Sequence, residues 1–491
     1  MFKKILIANR GEIAVRIIRA CRELKIKTVA VHSVADANSL HVHLADESVC
    51  IGPPPPKDSY LHALNIISAA LITGADAVHP GIGFLSERPS FAEACEAHGL
   101  KFIGPSAAAM ERMGDKAAAK ESMRQARVPV IPGTLGIVTG EQEAIEFAHR
   151  AGFPVLIKAA LGGGGRGIRL VQNEEELPRQ LDLARNEAVA SFGSPDVYME
   201  KFVEEPRHIE VQVLADEHGH VVHLGERDCS VQNQRHQKLV EEAPAPQLSP
   251  AQRSRIGEAA ANAARSVGYT NAGTVEFLLD RRGDFYFLEM NKRLQVEHCI
   301  TEVITSLDLV KLQISIAAGE KLPFSQKDIR WEGHAIECRI NAEDPDRNFA
   351  PSAGRIERVV LPGGPGVRVD TGYSAGGEIP RFYDSLIAKV IAHGENRGQA
   401  IERLRSALLD FHVLGVKTNV AYLLDVLVHP DFLAVRMDTG FLGREFADWS
   451  PGAVPDELAT ILGNVRVVAE VGAVASGPAG GWGLADGFRI K

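Results

Sequence analysis

Between Val155 and Arg169 the chain reads VLIKAALGGGGRGIR, and few folds can make use of such a segment. Glycine loses more conformational freedom on ordering than any other residue, so a fold that keeps four in a row needs their bare backbone. What they offer is N–H groups that can approach an anion closely, with Lys158 and Arg166 supplying cations on either side. Val155-Leu156-Ile157 has the composition of a buried strand. The segment therefore reads as a phosphate-covering loop on a strand hairpin. No Gly-Lys-Ser/Thr follows, so it is not a Walker loop, and the strand-loop-helix dinucleotide fingerprint does not fit. A flexible linker is the plain alternative, but flanking charges inside a strand pattern argue against it.

A chain of 491 residues has room for several domains. Its net charge of −9 argues against a nucleic-acid partner, so an anionic ligand must be drawn in by local cations. The start, MFKKILIANRGE, lacks a signal-peptide apolar stretch, because charge returns at Arg10 and Glu12. No apolar run reaches the length of a membrane span, so no membrane role is expected. Cys21, Cys50, Cys95, Cys229, Cys299 and Cys338 form no CxxC pair. They read as reduced thiols of a cytoplasmic protein.

The expected fold class is α/β and α+β. In the first hundred residues, strands near Ile5–Ala8, Thr28–His32 and Ala75–Val78 alternate with helices over Gly11–Leu24 and Leu61–Leu71, which implies a parallel sheet. HPGIG (79–83) then lies at a strand's carboxyl end, where such sheets place ligands. Next come the glycine hairpin, a helix over Glu174–Val189 and a strand Val197–Phe202. Longer alternating strands follow at 207–214, 220–226, 273–279 and 285–290. Residues 331–446 read as a further α+β piece. The Pro-, Gly- and Ala-rich stretch 447–491 reads as a loosely ordered tail or linker.

Glu276 and Glu289 carry the strongest local signal. With a turn centred between Arg282 and Gly283 they face each other across a hairpin, although a bulge would shift that register. Asn291 shares the face of Glu289. Facing carboxylates repel, and a divalent cation removes the conflict; an all-oxygen set suits magnesium or manganese. The segment Asn291-Lys292-Arg293-Leu294-Gln295-Val296-Glu297-His298 then crowds ionisable groups beside that strand. There an Arg can hold an oxyanion and a carboxylate can act as a general base. Lys116, the pair His208 and Glu210, and the basic loop 232–238 are weaker candidates. His32 and His334 read as structural.

Taken in order, MGDK, KAA-x-GGGGRG, MEKFVEEPRHIEVQ, RHQKLVEEAPAP, EFLL and EMNKRLQVEH resemble the biotin carboxylase component of biotin-dependent carboxylases, which are ATP-grasp ligases. IANRGEIAVRIIRAC, HPGIGFLSE, ECRINAEDP, YDSLIAKV and GVKTN extend the resemblance over residues 1–446. It implies a Rossmann-like N-terminal domain (1–114), an ATP-grasp domain (115–330, lid about 131–203) and a C-terminal domain (331–446).

The resemblance also implies roles. Lys116, Lys158, Gly164, Gly165 and His236 would contact ATP phosphates or ribose. Glu200, Lys201 and Val203 would hold adenine, with His208 nearby. Glu276, Glu289 and Asn291 would bind two magnesium ions. Lys238, Arg293, Gln295 and Val296 would hold bicarbonate, Glu297 would deprotonate it, and Arg339 would stabilise the enolate-like form of biotin. The implied activity is ATP- and bicarbonate-dependent carboxylation of biotin on a carrier protein or domain. It would be the first half-reaction of an acyl-CoA carboxylase in fatty acid metabolism, completed by a carboxyltransferase subunit.

Three positions depart from the family pattern. Ile82 stands where an aromatic residue is usual. SVQNQRHQK looks one residue longer, so either Gln232 or Gln234 fills the ATP-side glutamine role. Cys299 replaces a frequent proline. Arg16, Arg19 and Glu23 match positions resembling a dimer interface, but Pro365 stands at another that is usually aromatic, so weak dimerisation or none is expected. The Ala/Val-Met-Lys-Met pattern of a biotin acceptor is absent. Residues 480–489 resemble the segment after the carboxylase domain of fused acyl-CoA carboxylase α subunits. Another ATP-grasp ligase and a non-catalytic nucleotide-binding module are the alternatives; RLQVEH with Arg339 speaks against both.

Overall fold

The computed structural model describes residues 1–114, 116–134, 136–160 and 168–452. Gly164, Gly165 and the side chain of Lys116 lie outside the described part, as does nearly all of the tail.

The N-terminal sheet is parallel, as the strand–helix alternation requires. It comprises β1 (Lys4–Ile7), β2 (Lys27–Ser33), β3 (Glu47–Gly52), β4 (Ala77–His79) and β5 (Lys101–Phe102) in the order β3-β2-β1-β4-β5. Helix α1 (Gly11–Glu23) buries Ile13, Ala14, Ile17, Ile18 and Cys21, a spacing that puts them on one helical face. Helix α2 (Ala63–Thr73) ends at Gly74, whose φ of +66° suits a residue without Cβ. The edge strand β3 went unpredicted; only one of its residues, Ile51, is buried, so no apolar run marks it.

Helix α3 spans Lys116–Gln125. The hairpin predicted around the glycines exists: β6 (Val155–Ala159) pairs antiparallel with β7 (Ile168–Val171). After helix α4 (Leu177–Phe192), β8 (Val197–Lys201) pairs on the other side of β6. Val155, Ile157, Val171, Leu181, Val197 and Met199 form this lobe's own core.

The rest is built on one antiparallel sheet. Strands β9 (Arg207–Ala215), β10 (Val221–Gln232) and β11 (Lys238–Ala243) are followed by helix α5 (Pro250–Ser266), started by a Ser249–Gln252 capping box. Then come β12 (Asn271–Leu279), β13 (Phe285–Asn291), helix α6 (His298–Thr305), β14 (His334–Asn341), β15 (Val367–Thr371), β16 (Leu386–Gly394) and helix α7 (Arg397–Asp410). The sheet order is β13-β12-β9-β10-β11-β14-β16-β15. It runs without interruption through the pairing of β11 with β14, across the position where the sequence suggested a boundary near 330.

One detail differs from the sequence reading. β10 continues to Gln232 and β11 begins at Lys238, so the basic loop is shorter than expected. The six cysteines are free, and all but Cys50 are buried. Among the described residues no helix is long and apolar enough to cross a membrane.

Candidate active site

Glu276 does face Glu289, but by a different route from the one assumed. The pairs Leu279↔Phe285, Leu278↔Tyr286 and Phe277↔Phe287 centre the hairpin on Arg282. That register alone would set Leu288 opposite Glu276. A bulge between Glu276 and Phe277 inserts one residue and brings Glu289 into place. Without the bulge the carboxylate would point to the other face, because side chains alternate along a strand.

Glu276 is buried and densely bonded. Its Oε1 accepts from Asn291 Nδ2 at 2.8 Å, Gln295 Nε2 at 3.0 Å and Lys238 Nζ at 3.2 Å. His208 Nε2 lies 3.3 Å from Oε2. Burial pushes this carboxyl up, but the Lys238 and His208 charges prevail and hold it well below the usual carboxylate range. Glu276 therefore stays ionised in the absence of a cation. Together with exposed Glu289 across the hairpin and the Asn291 amide it forms an all-oxygen set, which fits a divalent ion such as magnesium.

The second focus is Glu297, at the N-terminal edge of α6. Lys238 Nζ donates to its Oε1 at 2.7 Å, and Arg339 Nη2 donates to its Oε2 at 2.9 Å. Burial again raises the carboxyl, yet Lys238, Arg339 and Arg227 keep it well below its ordinary value. Lys238 also donates to Glu210 Oε2 at 2.7 Å. Burial would discharge this ammonium, but Glu210 and Glu297 raise its pKa instead. Strand register explains the convergence. Lys238 opens β11, Arg339 lies on its neighbour β14, and Glu276 lies on β12, two strands away from β10.

Of the remaining predicted residues, Arg293 and Gln295 bond to this cluster, whereas Glu200, Lys201 and Lys158 are held within the lobe that carries β6 and β8. Arg293 Nη2 donates to Asn291 Oδ1 at 3.2 Å, while its Nε lies 3.5 Å from Glu87 Oε2. Gln295 Oε1 accepts from Arg227 Nη2 at 2.9 Å. The Val296 carbonyl accepts from Lys389 Nζ at 2.9 Å. Glu200 is buried at the end of β8 and paired with Lys158 and Lys120. Those two lysines hold it ionised against the upward push of burial. Lys201 Nζ donates to the carbonyls of Gly152 and Phe153, each at 2.9 Å. Val203 is buried, and exposed His236 has a φ of +60°. Gln232 is buried with its amide on the Cys229 carbonyl, whereas Gln234 is exposed.

Several contributors were missed. Arg227 is fully buried and donates to Glu210, Gln212, Thr274, Gln295 and Thr301. Lys120, Glu87 and Lys389 were missed as well. For Arg227 a signal existed: it sits inside a strand directly opposite Glu210, where a charge in a buried strand needs a partner. Nothing in the sequence marks Lys389, whose partners Glu12, Asp370, Val296 and Cys299 come from distant elements.

Beside Glu297 opens a cavity of about 320 Å³ lined by Arg339, Val296, Asn9, Arg10, Ile82 and Asn341, among others. Asn9 Nδ2 bonds the carbonyls of Pro80 and Ile82, fixing the HPGIG loop at its rim. Arg16, expected at a dimer surface, is engaged within the chain by Glu302 and Asp308, both at 2.7 Å.

Residues 1–110 match the family "Biotin carboxylase, N-terminal domain" and 337–444 match "Biotin carboxylase C-terminal domain". Residues 115–325 match "Carbamoyl-phosphate synthase L chain, ATP binding domain". Biotin carboxylase 1 of Bacillus subtilis is 53% identical over 443 residues, covering 90% of this chain and 98% of that one. The 2-oxoglutarate carboxylase small subunit of Hydrogenobacter thermophilus is 52% identical over 442 residues, covering 90% of this chain and 93% of that one. The crystal structure of the biotin carboxylase domain dimer of Hydrogenobacter thermophilus 2-oxoglutarate carboxylase, in complex with MgADP, ADP and bicarbonate, superposes with a TM-score of 0.82. It is 51% identical and covers 92% of this chain and 99% of that one.

Proposed function

The chain belongs to the biotin carboxylase family and is an ATP-dependent ligase, and from that premise we propose how its residues divide the work of carboxylating biotin. Its cofactors are ATP and magnesium, and biotin is its substrate. The observation that carries the reading is the meeting of Lys238 and Arg339 on the two oxygens of Glu297, beside Glu276.

Lys116, Lys158, Gly164, Gly165 and His236 take the phosphates or ribose of ATP. Glu200, Lys201 and Val203 take the adenine, next to His208. Glu276, Glu289 and Asn291 hold magnesium, which when bound neutralises phosphate charge and orients the transferred phosphoryl group. Lys238, Arg293, Gln295 and Val296 bind bicarbonate, and Glu297 accepts its proton. The bicarbonate oxygen then attacks the terminal phosphorus, ADP leaves, and carboxyphosphate forms. It breaks down to CO2 and phosphate; the phosphate removes the ureido proton, and biotin N1 attacks CO2. Arg339 meets the enolate-like oxygen with its fixed positive charge.

Glu297 is a weak base while Lys238 and Arg339 neutralise it. An anionic substrate that draws those cations to itself raises its proton affinity, so the base is switched on by the group it deprotonates.

The biotin is carried on a separate carrier protein or domain, since this sequence lacks the acceptor pattern. The acyl-CoA carboxylase setting, with a carboxyltransferase for a partner in the cytoplasm, rests on the likeness of residues 480–489 to fused α subunits. Weak self-association or none is proposed, because Pro365 stands at an interface position that is usually aromatic in the family. The decisive experiment measures ADP release with magnesium, with and without bicarbonate and free biotin. Bicarbonate dependence with stimulation by biotin is expected; equal release in all mixtures refutes the reading.

A further inference from the structure

Glu241 and Glu337 face each other on the adjacent strands β11 and β14. Both are completely buried. Side chains directly opposite on neighbouring strands have Cβ atoms about 5 Å apart. Two ionised carboxylates there would repel in a medium that screens poorly. Glu241 Oε1 accepts from Arg339 Nε at 2.6 Å. Among the described residues its Oε2 has no hydrogen-bond partner, and neither oxygen of Glu337 has one. A bare buried carboxylate loses its hydration with nothing to replace it, which is strongly unfavourable. A protonated one can donate its hydroxyl to the open oxygen across the strands.

We propose that Glu241 and Glu337 share one proton, and that this buried acid–carboxylate pair is a positioning device for the reaction: it anchors Arg339 and sets the charge that Arg339 presents to Glu297 and to the cavity. The inference rests on the roles proposed for Arg339 and Glu297. With one proton in the pair, Glu241 balances the guanidinium on one side only. Arg339 then retains attraction for Glu297, held by Nη2, and for an oxygen in the cavity it lines. Loss of the proton places a second negative charge behind Arg339 and draws its field away from the reacting groups.

The surroundings favour the protonated state. The charged and titratable groups whose fields act on the pair are Lys238 on β11, Arg339 and, from the opposite face, Cys338 on β14, Lys389 from β16, Cys229 from β10, Cys299 from α6, and Glu297. Burial raises Glu241 to about 7 despite Arg339, and raises Glu337 well above the carboxylate range despite Lys389. Both shifts are upward, so one proton stays through neutral pH and leaves on the alkaline side.

Glu337→Gln keeps the shape, cannot ionise, and fixes the pair in its singly charged form. The parent should lose kcat for biotin carboxylation at alkaline pH. The variant should lose that limb or shift it upward by a pH unit or more, with KM for ATP unchanged. Glu241→Gln removes the anchor and should lower kcat by ~10²-fold through misplacement of Arg339. Infrared difference spectra of the chain without ligands give a readout that needs no turnover. The parent should show a carboxylic-acid carbonyl band that disappears at alkaline pH, and Glu337→Gln should lack it. If the glutamine variant does not fold, Glu337→Met, neutral and similar in volume, takes its place. A chain without biotin-dependent turnover defeats the functional reading, while the infrared band still tests the pair. An alkaline limb unchanged in the neutral variant, or a parent without the band, overturns the proposal.

Discussion

The Lys238 ammonium lies 2.7 Å from Glu297 Oε1, and this contact keeps the proposed base ionised until a competing anion arrives. Glu297→Gln preserves the shape of the contact but removes the proton acceptor. Turnover should fall by ~10²- to 10⁴-fold, the usual contribution of a positioned base. ATP binding, followed by titration calorimetry, should persist. A variant that turns over bicarbonate at the parental rate takes Glu297 out of this role.

Glu276→Gln and Glu289→Gln should each raise the magnesium concentration needed for half-maximal ATP hydrolysis, since each removes one ligand charge. Their combined effect should be less than the sum, because the bulged register aims both at one place. Parental metal titrations for both variants would refute the pairing.

Arg227 holds Gln295 from inside the sheet and neutralises Glu210, with no exposure to solvent. Arg227→Met leaves Glu210 with one fewer cation in a buried place and should destabilise the chain by about 3–5 kcal/mol. Adding Glu210→Gln should recover part of that loss, because the uncompensated charge goes with it. Urea unfolding provides the measurement; a loss below about 1 kcal/mol would contradict the network's importance.

His79 ends β4, fully buried, and accepts the Gly81 amide on Nδ1 at 3.1 Å. Burial lowers its imidazole to about 3, against ~6.5 in an unfolded chain. Between these values only the unfolded chain takes up the proton. Stability is therefore present above the unfolded value and is lost as pH falls, with a slope approaching ~1.4 kcal/mol per unit from this residue. His79→Gln should flatten unfolding free energy against pH in that window. An identical slope would mean the residue does not stay neutral when folded.

How far the sequence could be read follows from which forces act locally. The alternation of β1, α1 and β2 was legible, because each element carries its own apolar period. Glu276 and Glu289 could be matched across one short hairpin, although the expected match rested on the turn centre and the structure makes it through a bulge instead. The hidden part depends on distant pairings. Arg339 reaches Glu297 from a strand that joins the sheet late in the chain, and its grip on Glu241 follows from the β11–β14 register. The ties of Lys120 and Lys158 to Glu200 arise only when the fold brings α3 and β6 to β8. Such contacts have no period in sequence, so motif resemblance could name Arg339 and Glu297 but could not predict that they touch.

The unbroken sheet has a consequence for how the chain can be divided. A cut at residue 330 would part β11 from β14 and leave each with a full row of unpaired backbone donors and acceptors. Raw strand edges of this kind template association. The two pieces, made separately, should aggregate; made together, they should re-pair along that seam and copurify. A soluble, monomeric piece spanning 331–452 would show that the seam is not what holds this end of the molecule in place.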